Sequence, residues 1–342
     1  MMILVTGGAG YIGSHACVVL LNAGYEVLVV DNFCNSSPKS LYQVEKITNR
    51  TLNLVEGDIR DKETLTRIFS EYKIEAVIHF AAFKAVGESV SNPIGYYDNN
   101  VCGSTALLSV MNEFDCKRFI FSSSATVYGE PSFVPINEGA ELSTTSPYGA
   151  TKLTIENMLK DIVASDSSWQ VVILRYFNPV GAHKSGLIGE NPKGIPNNLM
   201  PFILDVVCGK KSKLKIFGGD YPTRDGTGIR DYIHVVDLAE GHLSALRFLM
   251  DCGFSEPKDS PLIVNLGTGK GYSVLDVVKT VEKISNKKLP YEITARRKGD
   301  IAECFAETSY AKEILGWKAQ CDIHDMCKDS LRWRHLNPDG YK

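Results

Sequence analysis

The first half of the chain alternates short apolar runs with longer segments in which apolar residues recur every three or four positions. The apolar runs predict β-strands and the amphipathic segments predict helices. Strands are predicted at residues 2–5, 26–30, 52–55, 75–80, 118–123 and 170–176, and helices near 11–23, 62–72, 97–114 and 147–166. This alternation predicts an α/β fold built on a doubly wound parallel (Rossmann) sheet, with right-handed crossovers that cover both faces.

The pattern changes after Phe177. Residues 178–198 and 217–228 are rich in glycine, proline or asparagine, which is typical of ordered loops. A strand and a core helix are predicted within 232–250, and one more buried strand at 262–267. Asp237 fits as the N-cap of that helix. We therefore expect two units, which are a Rossmann domain of residues 1–177 with about 231–267, and a smaller α/β substrate lobe of about 178–230 with 268–342.

Composition narrows the function. The 342 residues are 44% hydrophobic and 23% charged, which fits a soluble globular protein with a large core. The net charge of −3 provides no global basic field, so we expect no nucleic-acid partner. Nine cysteines without a C-x-x-C pair, and seven histidines without H-E-x-x-H, predict no metal site, no disulfide framework and a cytoplasmic location. No apolar stretch approaches the ~20 residues of a membrane span, so no membrane partner is expected.

A dinucleotide site is predicted where the first strand ends. The turn at 6–13 reads TGGAGYIG and contains Gly7, Gly10 and Gly13. Glycines at this spacing let the backbone approach a pyrophosphate at a helix N-terminus, although a tight turn without a ligand is the alternative. Asp31 ends the next strand, where its carboxylate would accept hydrogen bonds from ribose hydroxyls and repel a 2′-phosphate. The sequence therefore predicts NAD rather than NADP.

Three residues near this site have more than one interpretation. Asp58 either holds the adenine edge or caps a helix. Lys84 either contacts the nicotinamide ribose or is a solvated lysine. His79 lies within an apolar run and is expected in the core.

The stretch SPYGATK at 146–152 places a tyrosine four residues before a lysine at the start of a helix. Ser146 is a natural N-cap and Pro147 fits the first helical position. Because residues i and i+4 share a helix face, Tyr148 and Lys152 should project together. A tyrosine ordinarily has a pKa of about 10, and we expect the lysine and a positively charged nicotinamide to lower it, which would make the tyrosine a usable base.

Ser122, Ser123 and Ser124 follow one another at the end of a predicted buried strand. Ligands of doubly wound sheets bind at that edge, where a hydroxyl can orient a substrate alcohol. A dinucleotide, a serine, a tyrosine and a lysine that meet there predict hydride chemistry.

Ten sequence stretches, several of which contain the residues discussed above, are distributed over nearly the whole chain. They are VTGGAGYIGSH, DNFCNS, EGDIRD, VIHFAAFKAVGES, YYDNNV, FSSSATVYG, SPYGATK, LRYFNPVGAH, GIPNNLMP and GIRDYIHVVDLA. Together they resemble the extended short-chain dehydrogenase/reductase family, and in particular its members that act on UDP-hexoses.

The resemblance implies a role for each matching residue. Tyr148 is the acid/base, Ser124 assists it through a hydrogen bond to the sugar 4-hydroxyl, and Lys152 holds the nicotinamide ribose while it tunes the tyrosine. The implied NAD contacts are Gly7, Gly10, Tyr11, Ile12, Gly13, Asp31, Asn32, Asn35, Asp58, Ile59, Phe80, Ala81, Lys84, Asn99, Tyr148, Lys152 and Phe177. The implied UDP-hexose contacts are Lys84, Ser124, Tyr148, Asn178, Asn198, Leu199, Phe217, Arg230, Arg297, Asp300 and Cys304.

The implied reaction is a reversible epimerisation of UDP-galactose and UDP-glucose at sugar C4, through a transient 4-keto sugar and enzyme-bound NAD. The resemblance also implies a homodimer. Two alternatives are a nucleotide-sugar 4,6-dehydratase and a dinucleotide sensor without catalysis. A dehydratase needs a carboxylic acid where this chain has Ala125 and Thr126, and a sensor typically lacks the tyrosine–lysine pair.

Cys304 bears on the substrate range. The resemblance implies that family members restricted to unacetylated sugars have a bulky tyrosine at this position. A smaller side chain there predicts that UDP-N-acetylglucosamine and UDP-N-acetylgalactosamine are also interconverted. The alternative is a small core cysteine without a role in specificity.

Overall fold

The computed structural model describes residues 1–194, 196, 198–252, 259–297 and 299–341. Its strands are β1 (Met2–Thr6), β2 (Glu26–Asp31), β3 (Asn53–Glu56), β4 (Ile74–His79), β5 (Arg118–Ser124), β6 (Gln170–Tyr176), β7 (Asn178–Val180), β8 (Leu214–Phe217), β9 (Ile229–His234), β10 (Leu262–Leu266), β11 (Gly271–Ser273), β12 (Tyr291–Thr294) and β13 (Glu303–Cys304). Its α-helices are α1 (Tyr11–Asn22), α2 (Pro38–Thr48), α3 (Lys62–Glu71), α4 (Val86–Ser91), α5 (Pro93–Tyr96), α6 (Gly103–Glu113), α7 (Pro147–Ser165), α8 (Leu199–Val207), α9 (Val235–Arg247), α10 (Val274–Ser285), α11 (Ser309–Leu315) and α12 (Ile323–Leu336). Tyr97–Cys102 and Phe248–Cys252 are π-helical, and Ala125–Tyr128 is a 3₁₀ turn.

Seven parallel strands form the large sheet, in the order β10-β6-β5-β4-β1-β2-β3. The predicted doubly wound fold is therefore confirmed. Successive residues of β1 point to opposite faces, so Ile3 and Val5 enter one apolar cluster and Leu4 enters the other. The first cluster includes residues of α1 and α9, and the second includes residues of α3, α6 and α7. Strands buried on both faces explain why the apolar runs in the sequence are continuous rather than alternating.

The large sheet positions the site because its strand order reverses between β1 and β4. The chain leaves β1 toward one edge of the sheet and leaves β4 toward the other. This divergence opens a crevice beyond the carboxyl ends of the two strands, where ligands of open α/β sheets bind.

A smaller lobe follows β6. In it β9 pairs with β7, β11 and β13, and β8 pairs with β12. A separate apolar cluster fills the lobe with residues of α8, α10 and α12. The division of the chain into a Rossmann domain and a substrate lobe remains a proposal, and its boundary near residue 231 falls inside β9.

Two local predictions need correction. The N-cap of α9 is His234, whose imidazole accepts a hydrogen bond from the Val236 amide. Asp237 instead lies in the first helical turn, where its carboxylate accepts hydrogen bonds from the amides of Gln320 and Cys321. The helix predicted near 97–114 is present, but its first six residues are π-helical and α6 begins only at Gly103.

None of the helices in the described ranges combines the length and the apolar composition that a membrane crossing requires. The eight cysteines whose side chains the structure describes are free thiols.

Candidate active site

One cavity lies at the carboxyl edge of the large sheet and extends toward the lobe. Its walls come from the turns after β1, β2, β4 and β5, from the start of α7 and from the loop that follows β7. The predicted site residues that line it are Gly7, Gly10, Tyr11, Ile12, Gly13, Asp31, Asn32, Asn35, Ile59, Phe80, Ala81, Lys84, Asn99, Ser124, Tyr148, Lys152, Phe177, Asn178 and Asn198. The predicted residues outside this lining are Asp58, Leu199, Phe217, Arg230, Arg297, Asp300 and Cys304.

The glycine-rich turn forms one end of the cavity. Gly7 has a φ of +70°, and a Cβ atom on it would lie 2.7 Å from the Ala81 amide nitrogen. A Cβ atom on Gly13 would lie 2.3 Å from the Gly7 carbonyl oxygen. The first turn of α1 can therefore pack against the glycine-rich turn only because residue 13 is glycine. Among the described residues, no side chain caps the N-terminus of α1. That helix start is therefore suited to a pyrophosphate.

Asp31 organises the same end of the cavity. Its buried carboxylate accepts hydrogen bonds from the Ala9 amide at 2.9 Å, the Phe33 amide at 2.9 Å and the Ser36 hydroxyl at 2.7 Å. It thus joins the glycine-rich turn to the loop after β2 and places a negative charge between them. This arrangement suits ribose hydroxyls and opposes a 2′-phosphate.

Asp58 does not cap α3, because Asp61 does so through hydrogen bonds from the amides of Glu63 and Thr64. The Asp58 carboxylate instead receives hydrogen bonds from Arg60 and from the Asn32 side chain, the latter at 2.9 Å. Its pKa lies well below the usual range, chiefly because of the hydrogen bond from the Arg60 side chain. The cap interpretation was wrong, and Asp58 is an ionised acceptor beside Asn32.

The predicted pair lies at the other end of the cavity. Ser146 caps α7 by accepting from the Gly149 amide at 3.2 Å, and Pro147 begins the helix, both as predicted. Tyr148 and Lys152 are both buried. The Lys152 ammonium donates to the Ser122 carbonyl at 2.7 Å and lies 4.8 Å from the centroid of the Phe121 ring.

The electrostatics of this pair differ from the prediction. Burial raises the pKa of Tyr148 to about 12, and a hydrogen bond with Ser124 only partly opposes the rise. Burial also lowers the pKa of Lys152 to about 7, against the attraction of Glu156. Without NAD the pKa of Tyr148 thus shifts in the direction opposite to the expected one, and the lowering expected from the lysine together with the nicotinamide stays a prediction. Desolvation is the largest cause of both shifts, because burial acts against the ionised form of each group.

The structure also places His79 and Lys84, for which the sequence allowed more than one interpretation. His79 is a core residue, as expected, with ring nitrogens 2.7 Å from the Thr6 hydroxyl and 2.9 Å from the Ser104 hydroxyl. Lys84 lies in the cavity wall and forms an ion pair of 3.5 Å with Glu190.

Sequence analysis missed Glu190. Its carboxylate also accepts a hydrogen bond of 2.6 Å from the Asn198 side chain, so it joins two predicted contact residues. Glu190 lies in a Gly- and Pro-rich loop without periodicity, and no local signal indicates that it meets Lys84.

A second group of predicted residues lies on the lobe. The Arg297 guanidinium lies 4.9 Å from the centroid of the Phe217 ring and donates to Asp300 at 2.9 Å. Arg230 donates to the Ile229 carbonyl at 2.8 Å. Leu199 is the first residue of α8 and directly follows Asn198.

Cys304 lies on β13, beside Arg230 of β9. It is buried in a small apolar cluster with Phe177 and Val127, and burial raises the pKa of its thiol to about 11. Phe177, a member of the same cluster, is part of the cavity lining, whereas Cys304 is not.

Comparisons with known proteins bear on this arrangement. A family model described as GDP-mannose 4,6 dehydratase matches residues 4–330. The chain is 55% identical over 342 residues to UDP-glucose 4-epimerase of Bacillus subtilis (strain 168), covering 100% of this chain and 99% of the relative. It is 51% identical over 347 residues to UDP-glucose 4-epimerase of Homo sapiens, covering 99% and 98%.

The crystal structure of UDP-glucose 4-epimerase from Bifidobacterium longum, in complex with NAD+ and UDP, has the same fold. The TM-score is 0.95 at 51% sequence identity, with coverage of 99% of this chain and 100% of that chain.

Proposed function

The chain belongs to the extended short-chain dehydrogenase/reductase family, and we propose that it interconverts UDP-galactose and UDP-glucose by NAD-dependent epimerisation at sugar C4. The observation that carries this proposal is that one cavity joins Asp31 and the glycine-rich turn at one end to Ser124, Tyr148 and Lys152 at the other. The first end suits a dinucleotide, and the second suits proton transfer at an alcohol.

The residues present fit NAD. The uncapped start of α1 is suited to the pyrophosphate, Asp31 to the adenosine ribose, and Lys152 to the nicotinamide ribose. NAD supplies a reversible hydride acceptor at the sugar carbon.

The chain's own residues move the proton. Tyr148, assisted by the Ser124 hydroxyl, accepts the proton of the sugar 4-hydroxyl and later returns it. A 4-keto sugar forms between these two events. If the hexose turns over while the UDP stays bound, the hydride would return to the opposite face of C4 while Tyr148 returns the proton to the 4-oxygen, which inverts the configuration at C4.

The UDP would be bound on the lobe side of the cavity. We propose that Arg230 and Arg297 bind the diphosphate, because planar guanidinium groups suit its oxygen atoms. Phe217, which lies against Arg297, would then contact the uridine. The remaining proposed contacts are Asn178, Asn198, Leu199 and Asp300.

The decisive experiment incubates the purified protein with UDP-galactose without added NAD and measures UDP-glucose by NMR. Turnover would support both the reaction and the retention of the cofactor. If the protein is fully loaded with NAD and still forms no UDP-glucose, the proposed function is refuted.

The description of the matching family model favours one other reaction, a 4,6-dehydration. Elimination requires an acid for the leaving hydroxyl, yet Ala125 and Thr126 after Ser124 carry no carboxylate. Among the described residues, the carboxylates that line the cavity are Asp31 and Glu190, and both are engaged in hydrogen bonds. A stable 4-keto-6-deoxy product from UDP-glucose would overturn the epimerase proposal.

The substrate range also follows from Cys304. We propose that the protein interconverts UDP-N-acetylglucosamine and UDP-N-acetylgalactosamine, because Cys304 is smaller than the tyrosine that the resemblance associates with restriction to unacetylated sugars, and it shares an apolar cluster with the cavity-lining Phe177. The Cys304→Tyr variant should lose turnover of the acetylated sugars and keep that of UDP-galactose. If the wild-type protein converts UDP-galactose but neither acetylated sugar, this specificity proposal is wrong.

We further propose a cytoplasmic homodimer. Exposed free thiols such as Cys34 and Cys102 are typical of a reducing compartment. The family resemblance suggests dimerisation through α6 and α7, and Tyr97, the first residue of the π-helical segment that leads into α6, exposes 40% of its surface. A monomeric mass in light scattering with size exclusion would refute the dimer.

A further inference from the structure

Helix α7 carries a third buried polar residue beyond the pair described above. Tyr148, Lys152 and Glu156 follow one another at intervals of four residues, so they share the face of the helix that packs on the sheet. Their exposed fractions are 7%, 3% and 0%. A fully buried glutamate is rare unless it is paired, so its partners indicate what it does.

Strand β5 contacts each of these three residues through one of three consecutive serines. The Lys152 ammonium donates to the Ser122 carbonyl at 2.7 Å, and the Ser123 hydroxyl donates to Glu156 at 2.5 Å. Ser124 shares a hydrogen bond with Tyr148. Glu156 is therefore part of the contact that sets the position of α7 along β5.

Arg175 of β6 holds the Glu156 carboxylate from the other side. Its guanidinium donates from Nε at 3.0 Å and from Nη2 at 2.5 Å, so the two groups form a forked pair. Arg175 is 1% exposed and also donates to the Tyr128 hydroxyl at 3.1 Å and the Glu138 carbonyl at 3.2 Å. An arginine stays charged in proteins, so Glu156 is held in a buried ion pair with Arg175.

We propose that Glu156 is a positioning residue that keeps Lys152 charged beside Tyr148, an inference that rests on the proposed function. Arg175 and Ser123 fix Glu156 in place for that role.

The surroundings of Lys152 agree with this assignment. Burial lowers the pKa of Lys152, and Glu156 is the neighbour that raises it. The other titratable or charged groups packed around the lysine are His79 of β4, Tyr148 of α7, Arg175 and Tyr176 of β6, and His242 of α9. Burial favours the neutral form of both histidines and both tyrosines, and Arg175 is already paired. Among the described residues of this group, Glu156 supplies the negative charge.

The test is the pH dependence of kcat/KM for UDP-galactose, measured on the NAD-loaded protein. This profile reports the ionisation of the free enzyme, and loss of the Lys152 proton should set its alkaline limb. Glu156→Gln keeps the shape and removes the charge, so the alkaline limb should move down by about one pH unit, as expected for the loss of one neighbouring charge. Glu156→Asp keeps the charge, and its limb should stay near that of the wild type even if the variant is less stable.

Glu156→Gln leaves Arg175 buried without its partner, and that variant could fail to fold. The double variant Glu156→Gln/Arg175→Gln removes both charges, and its alkaline limb should also move to lower pH, by less than in the single variant. A purely structural role would lower stability or kcat in all three variants without separating their pH profiles.

If the wild-type protein turns over UDP-galactose, either of two results would overturn the inference. One is a limb in Glu156→Gln, or in the double variant, that coincides with the wild type. The other is an equal shift in Glu156→Asp and Glu156→Gln. A wild-type protein without epimerase activity would instead refute the proposed function on which the inference rests.

Discussion

Replacement of Tyr148 by phenylalanine tests the central residue of the site. The change removes one hydroxyl from a buried side chain of α7 and keeps its ring. The hydroxyl is hydrogen-bonded to Ser124, which retains the nearby Thr126 amide as a donor to its oxygen, at 3.2 Å. We therefore expect the variant to fold and to keep its bound NAD.

The expected loss of activity follows from the role of the hydroxyl as the proton acceptor. General acid–base catalysis typically contributes about 10²- to 10⁴-fold, or roughly 3–5 kcal/mol of the activation barrier. In the wild-type protein, burial raises the pKa of Tyr148 to about 12. At pH 7 that corresponds to about 7 kcal/mol to form the phenolate without a ligand, at ~1.4 kcal/mol for each pH unit. A phenylalanine cannot form the base at any cost, so kcat should fall by at least about 10²-fold.

The assay measures UDP-glucose formed from UDP-galactose, together with the NAD content of the protein after gel filtration. Tyr232→Phe is the matched control, because Tyr232 is about as buried, at 5% exposure, and lies in the core of the lobe rather than in the cavity. The control should keep kcat within a few-fold of the wild type. If Tyr148→Phe binds NAD and turns over within tenfold of the wild type, the assignment of Tyr148 as the base is wrong.

Two other predictions concern the cofactor and the stability of the fold. Asp31→Asn removes the charge that accepts from Ala9, Phe33 and Ser36, so NAD should bind about 10- to 100-fold more weakly, a loss of roughly 1–3 kcal/mol for a charged hydrogen-bonding group; unchanged NAD content after gel filtration would contradict this. Burial lowers the pKa of His15 and His79 to about 3, below the ordinary value of 6.5, so the unfolded chain binds protons that the folded chain does not. The free energy of unfolding should therefore fall as the pH drops from about 6.5 toward 3, by ~1.4 kcal/mol per pH unit for each histidine. Urea unfolding at pH 7 and pH 5 measures this, and equal stability at the two values would refute it.

Most of the large sheet could be predicted from sequence because its strands are buried on both faces. Their apolar runs are continuous, and the glycine-rich turn and Ser146-Pro147 mark where two of the helices begin. The lobe was harder, since its strands have only two to six residues and pair across long loops. Helix α10 was missed, although the sequence carries a signal for it. Ser273 and Asp276 form a capping box at its start, just before its apolar stripe.

The residues of the site likewise divide into those that could be predicted from sequence and those that could not. Tyr148, Lys152 and Ser124 belong to short motifs whose geometry is set by one helix and one strand end, so their meeting could be predicted. Glu190 and Arg175 act through partners far along the chain, and only the folded structure brings them to Lys84 and Glu156.

The sign of a pKa shift is harder to predict than the meeting of the residues. The sequence places an ammonium beside a phenol, which alone would favour the phenolate. Burial acts in the opposite direction on both groups and raises the pKa of Tyr148 to about 12 while it lowers that of Lys152 to about 7. The neutral phenol and the neutral amine are thus the favoured forms between about pH 7 and pH 12 in the protein alone. A positively charged nicotinamide close to Tyr148 would favour the phenolate, so we expect the base to form more readily when oxidised NAD is bound. Glu156 then contributes on the lysine side, because it opposes the loss of the Lys152 proton that the phenolate needs as its counter-charge.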